Sequence, residues 1–122
     1  MDIIDIDKTI VPYTFDINLS NRIYTININY NVLFDFFTAD LLLNGAVLVK
    51  DEKIVLNQFL FREIAEDSEH NLDPNFPTEL FYIGTTDNNI KRVSFSNLGD
   101  TVFLYSIDRS EVTTWVNYLD VK

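Results

Sequence analysis

From Tyr13 to Tyr30 the chain alternates apolar and polar residues almost without a break, a period of two that belongs to a sheet. In YTFDINL the residues Tyr13, Phe15, Ile17 and Leu19 share a face. In RIYTININY the apolar set is Tyr24, Ile26, Ile28 and Tyr30, opposed by Thr25, Asn27 and Asn29. Ser20-Asn21 lies between them as a polar two-residue turn, so the pair predicts a hairpin. The Asn-rich outer face reads as the wet side of a sheet, with a sugar or a neighbouring backbone as the other available hydrogen-bonding partner.

Composition supports strands along the rest of the chain. Ten Phe and six Tyr stand with many Ile, Val and Thr, and such branched and flat side chains suit a pleated surface. Only three glycines are present, so turns must rely on Asn and Asp. A chain of 122 residues is long enough to bury one core. The expected fold is all-β, a small antiparallel β-sandwich or partly open β-barrel of about 7–8 strands with at most one or two short helices. Residues 1–108 are expected to form a single β domain, with 1–12 as its amino-terminal edge strand or arm and 109–122 as a tail or docking segment.

Other segments sharpen this picture unevenly. Asp5 and Asp7 near the amino terminus read as one solvated strand face rather than a metal dyad. NVLFDFFTADLLL, residues 31–43, crowds Phe34, Phe36 and Phe37 around Asp35 with apolar residues pointing both ways. That pattern predicts a strand covered on both faces, with surplus apolar surface available to another chain. Asn44-Gly45 is the strongest turn signal, because both residues tolerate positive φ. A second reversal is expected at Lys50-Asp51-Glu52-Lys53. Residues 57–65 fit either a short helix or an extended crossing. From Phe76 to Ile107 the pattern reads as a self-sufficient meander of three strands, turning at Asp87-Asn88-Asn89 and at Asn97-Leu98-Gly99-Asp100. In the tail, Val112, Trp115, Val116 and Leu119 lie at helical spacing behind Ser110-Glu111, to close the core or to dock with Trp115 as anchor.

The chemistry of the residues excludes more than it selects. A net charge of −10 opposes nucleic acid and anionic membrane surfaces, and leaves solubility or a basic partner as its meaning. No cysteine is present, which removes disulfides, thiolate zinc sites and thiol nucleophiles. The first residues lack the pattern of a signal peptide, and no apolar run is long enough for a membrane helix. The expectation is a soluble protein made in the cytoplasm. Glu66, Asp67, Glu69, His70 and Asp73 cluster in the loop 66–75, but their spacing matches no calcium loop, and His70 is the lone histidine. Phosphate loops, nucleophile elbows and zinc motifs are all missing, so neither catalysis nor a cofactor or metal is expected.

In order along the chain stand Phe76-Pro77 before the apolar run Glu79 to Ile83, Asp87-Asn88-Asn89, Arg92-Val93, and Asn97-Leu98-Gly99-Asp100 leading into Val102-Phe103-Leu104-Tyr105. This succession resembles the carboxy-terminal half of the phage baseplate plug family, and the hairpin from Thr14 to Tyr30 and the Asn44-Gly45 turn extend the likeness upstream. The tail after Asp108 has no counterpart in it. The resemblance implies a virion structural protein in the tail baseplate, made in the host cytoplasm, which plugs or lines the central hub through protein–protein packing. It would meet hub, tail tube and spike proteins and copies of itself. The surplus apolar residues Phe34, Phe36, Phe37, Trp115, Tyr118 and Leu119 are the candidate partner-binding set. Asn44, Gly45, Asn97, Gly99 and Asp100 are the fold-defining turns. Two other classes remain open: an acidic inhibitor or immunity-type protein that blocks a basic partner surface, and a small sugar-binding β-barrel module.

Overall fold

The alternation between Tyr13 and Tyr30 becomes two paired strands, β2 (Tyr13–Leu19) and β3 (Arg22–Asn31), in a computed structural model that describes residues 2–111. Ser20 and Asn21 take φ of 54° and 61°, the left-handed pair of a type I′ turn, and Leu19 pairs with Arg22 across it. β4 (Phe36–Leu43) lies against β3, and Asn44-Gly45, at φ 50° and 80°, reverses the chain into β5 (Ala46–Lys53). The result is an antiparallel sheet in the order β2-β3-β4-β5. Its inner row is buried, with Tyr24, Ile26 and Ile28 from β3, Phe37, Ala39 and Leu41 from β4 and Val49 from β5.

A second antiparallel sheet has the order β1-β8-β7-β6. Its strands are β1 (Asp2–Ile4), β6 (Phe59–Leu60), β7 (Leu80–Thr85) and β8 (Val102–Ile107). Leu80 to Gly84 are all buried, so β7 has cover on both faces. Phe81 and Ile83 join Leu104, Val102 and the inner row of the first sheet in a shared core. Leu80 and Tyr82 form a smaller cluster with Ile107 on the other face. Two open sheets packed through their apolar rows make a sandwich-like fold rather than a closed barrel. The residues 57–65 satisfy both alternatives in turn, as β6 and then the single-turn helix α1 (Arg62–Ala65). A further short helical element is the 3-10 turn at Lys8–Ile10. No helix among the described residues is long and apolar enough to cross a membrane.

Three expectations need correction. Residues 31–43 are not one strand, because residues 32–35 form the turn between β3 and β4. The Asn31 side chain accepts the Phe34 N–H at 3.0 Å, and Asp35 sits at φ 54°, which together reverse the chain. Nor does the chain reverse at Lys50–Lys53. β5 runs through that segment with irregular register against Ala39, Leu41 and Leu42, and Asp51 at φ 56° is the bulge. The Asp40 carboxylate, 1% exposed, holds the bulge by accepting the Asp51 N–H at 2.8 Å and bonding Asn27 and Lys50 at 3.2 Å each. The third correction concerns Phe76 to Ile107, which holds two strands instead of three. Between them, the Asn97 side chain accepts the Ser94 N–H and donates to the Arg92 carbonyl, taking backbone groups that a strand would offer a neighbour. β7 and β8 pair directly with each other and are flanked by β6 and β1, so the segment does not stand alone as a sheet.

A Cβ built on Gly45 would meet nothing within 4 Å, so Gly45→Ala introduces only the strain of a left-handed backbone. A loss of about 1–2 kcal/mol is expected, seen as a lower urea midpoint at unchanged slope. Unaltered stability would show that the hairpin does not depend on this conformation.

Candidate functional site

The β3–β4 turn places three apolar side chains in water. Val32, Leu33 and Phe34 are 80%, 82% and 69% exposed, the most open large apolar residues among those described. Scattered exposed apolar residues are ordinary, but three in succession on one turn are a patch. The turn is also unusually well tied down. Asp35 Oδ1 accepts from the Tyr30 hydroxyl at 2.7 Å and from the Phe95 N–H at 2.9 Å. Its Oδ2 takes a charge-assisted bond from Arg92 Nη2, while Arg92 Nη1 donates to the Asp35 and Val93 carbonyls at 2.9 and 2.8 Å. The Tyr30 ring in turn lies 4.8 Å from the Phe37 ring and 5.2 Å from that of Phe95, measured between centroids. Lys8 sits 5.3 Å from the Phe95 ring centroid and bonds Asp100 at 2.9 Å, so the amino-terminal segment closes the same corner.

This network leaves its mark on the Asp35 carboxyl. The Tyr30 hydroxyl first and then the Phe95 N–H hold it below the usual carboxylate range against the opposing effect of burial, and the Arg92 guanidinium adds to them. The Tyr30 hydroxyl is pushed up, chiefly by its bond to that carboxylate. The apolar tip is thus anchored through one ionised side chain to β3 and to a loop distant in sequence.

The expected binding residues fall in different environments. Phe34 is on the tip. Phe36 is half-buried under Lys53, whose Nζ lies 4.9 Å from its ring centroid, and Phe37 is wholly buried in the core. Trp115, Tyr118 and Leu119 lie outside the described residues. Asn44 and Gly45 turn β4 into β5, and Asn97, Gly99 and Asp100 organise the approach to β8, where the Gly99 N–H bonds the Val102 carbonyl at 2.7 Å. Val32 and Leu33 were missed as tip residues. The available signal was Asn31 and Asp35, two good turn formers bracketing the apolar run.

Elsewhere several polar groups are engaged internally. Glu66, with its side chain 5% exposed, bonds Arg109 at 2.9 Å and Arg62 at 3.2 Å. Burial pushes the Glu66 carboxyl up, but these two arginines outweigh it and hold it low. Asp67 accepts the N–H groups of Glu69 and Asn71, shaping the acidic loop from within. Among the described residues, no group of three or more His, Cys, Asp or Glu side chains is placed to hold a metal. On the outer face of the first sheet, Thr14 bonds Asn27 at 2.9 Å and Thr25 bonds Asp16 at 2.8 Å, so polar side chains there satisfy one another across strands.

A family model described as cyanophage baseplate Pam3 plug gp18 matches residues 1–109, which takes in the tip, both sheets and Arg109. No curated protein matches the chain.

An unfolded aspartate titrates at about 4, and Asp35 titrates lower in the fold, so its stabilising contribution is complete above that value and is lost as pH falls through the folded one. Tyr30→Phe should move the Asp35 titration up, as read from carboxyl carbon shifts across acidic pH. An unmoved titration in Tyr30→Phe would exclude the hydroxyl as the main cause.

Proposed function

The chain belongs to a phage baseplate plug family, and on that premise we propose that it is a structural protein of the virion tail baseplate, filling or lining the central hub by packing against other proteins. Hub, tail tube and spike proteins are its partners in this reading, with further copies of itself, and no substrate is turned over. The observation that carries it is the tip: Val32, Leu33 and Phe34 project into solvent from a turn fixed by Asp35, Tyr30 and Arg92. A rigid apolar projection loses little freedom when a partner covers it, which is what an assembly contact needs. Repetition of such a contact around a symmetric hub multiplies a modest interface.

The test is co-expression with the hub, tube and spike proteins of the same tail, followed by affinity purification and mass measurement of the complexes. The parent chain is expected to co-purify with a baseplate partner. Leu33→Ser with Phe34→Ser should weaken that association by about thirtyfold or more, the effect of losing a contact worth about 2 kcal/mol. Thermal unfolding should be unchanged, because neither side chain contributes to the core. A parent chain that binds none of these proteins would sink the reading; a double variant that assembles normally would remove the tip from it.

A further inference from the structure

Among the described residues four strands end the two sheets, and three of these edges are poorly suited to pairing. β1 has three residues and β6 two, while β5 is irregular in register at two places. Short or bulged edges resist the addition of another strand. β2 is different. Its seven residues pair with β3 in unbroken register, and it contains no lysine, proline or bulge.

The turn dictates which backbone groups of β2 are open. In a two-residue hairpin the closing pair, Leu19 with Arg22, is hydrogen-bonded, and bonded pairs then alternate along the ladder. Ile17, Phe15 and Tyr13 therefore also face β3 with their N–H and C=O groups. Those of Thr14, Asp16 and Asn18 point away, and no backbone partner meets them among the described residues. The inner row tells the same story from the side chains: Tyr13, Phe15 and Ile17 are half-buried, whereas Tyr24, Ile26 and Ile28 beside them are fully buried. One more strand along β2 would complete their cover.

We propose that the open edge of β2 accepts an extended strand of a partner protein in which apolar residues alternate with lysine or arginine. The apolar side chains would lie over Phe15 and Ile17, and the basic ones beside the exposed Asp16 carboxylate. Charge selects this occupant over a second copy of the chain. A two-fold pairing centred on β2 sets Asp16 against its own symmetry mate, between molecules that each carry −10. A basic strand instead gains from that field and arrives faster because of it.

The probe is a capped peptide of about seven residues alternating valine and lysine, a typical strand length. Its control is the same peptide N-methylated on the edge that would face β2. Amide exchange in the full chain, followed by NMR, should slow by about tenfold or more at Thr14, Asp16 and Asn18 when the plain peptide is added. The methylated peptide should leave these rates unchanged. Asp16→Pro removes an outward N–H without touching the ladder to β3 and should abolish the protection. Asp16→Asn keeps both backbone groups and should retain binding with a shallower salt dependence. Equal protection by the methylated peptide, or protection confined to other amides, would overturn the proposal without requiring any variant to fold. Concentration-dependent protection of the same amides in the absence of peptide would overturn it in favour of self-pairing.

Discussion

Reversing direction without glycine is the constraint on which most of this structure depends. Eight non-glycine residues take positive φ among those described: Ser20, Asn21, Asp35, Asn44, Asp51, Asn57, Phe61 and His70. Short polar side chains tolerate that region because they can bond nearby backbone, and here they do more than tolerate it. Asp35 is both the left-handed residue of its turn and the acceptor that binds Tyr30, Phe95 and Arg92. The Asp51 N–H, exposed by its bulge, is taken up by the buried Asp40 carboxylate. At Asp35 and at Asp51 the left-handed backbone thus becomes a place where separate segments are tied together. Phe61 is the exception in kind, a bulky residue at φ 72° that is held by burial, by an edge-on contact with Phe81 and by its N–H bond to Glu52.

The parts of the fold that were legible in the sequence are those where a single local rule acts alone. Alternation from Tyr13 to Tyr30 fixes both strands and their inner faces, and Asn44-Gly45 marks its turn by conformation. Legibility fails where side chains replace backbone ladder bonds. Arg92 to Phe95 has the alternation of a strand, yet Asn97 captures its backbone groups and Arg92 is drawn away to Asp35. It fails again at Lys50 to Lys53, since turn-like polar residues also suit a bulge, and only the buried Asp40 on the neighbouring strand distinguishes the two. The tip was misread for a related reason. Three apolar residues in a row suggest burial, and their exposure follows from Asn31 and Asp35 making the turn around them.

The acidic balance also has internal structure. Asp40, Glu66 and Glu79 are drawn into bonds with Lys50, with Arg62 and Arg109, and with Ser20 respectively. For each, burial opposes ionisation and the surrounding donors outweigh it, so all three carboxyls titrate low. Glu52 goes the other way, because burial dominates and its backbone donor, the Phe61 N–H, does not compensate. Much of the negative charge that a partner would meet therefore comes from exposed side chains such as Asp16, rather than from these internal anchors.

That division bears on how the tip and the β2 edge would share the task of binding. Tyr13 pairs with Ile28, so β2 begins near the end of β3 that carries the tip, and its edge runs from there toward the Ser20-Asn21 turn. The tip offers apolar area on a fixed turn, and ordering a mobile side chain at an interface opposes binding by about 0.5–1.5 kcal/mol each. Its backbone has already been ordered by Asp35 and Arg92, so a partner need only restrict three short side chains. The edge offers backbone hydrogen bonds, which add affinity and orient a strand but discriminate weakly between sequences. Apolar projections make poor determinants of direction, and backbone ladders make poor determinants of identity. Each supplies what the other lacks, and a partner strand that engaged both would be fixed in direction as well as in choice.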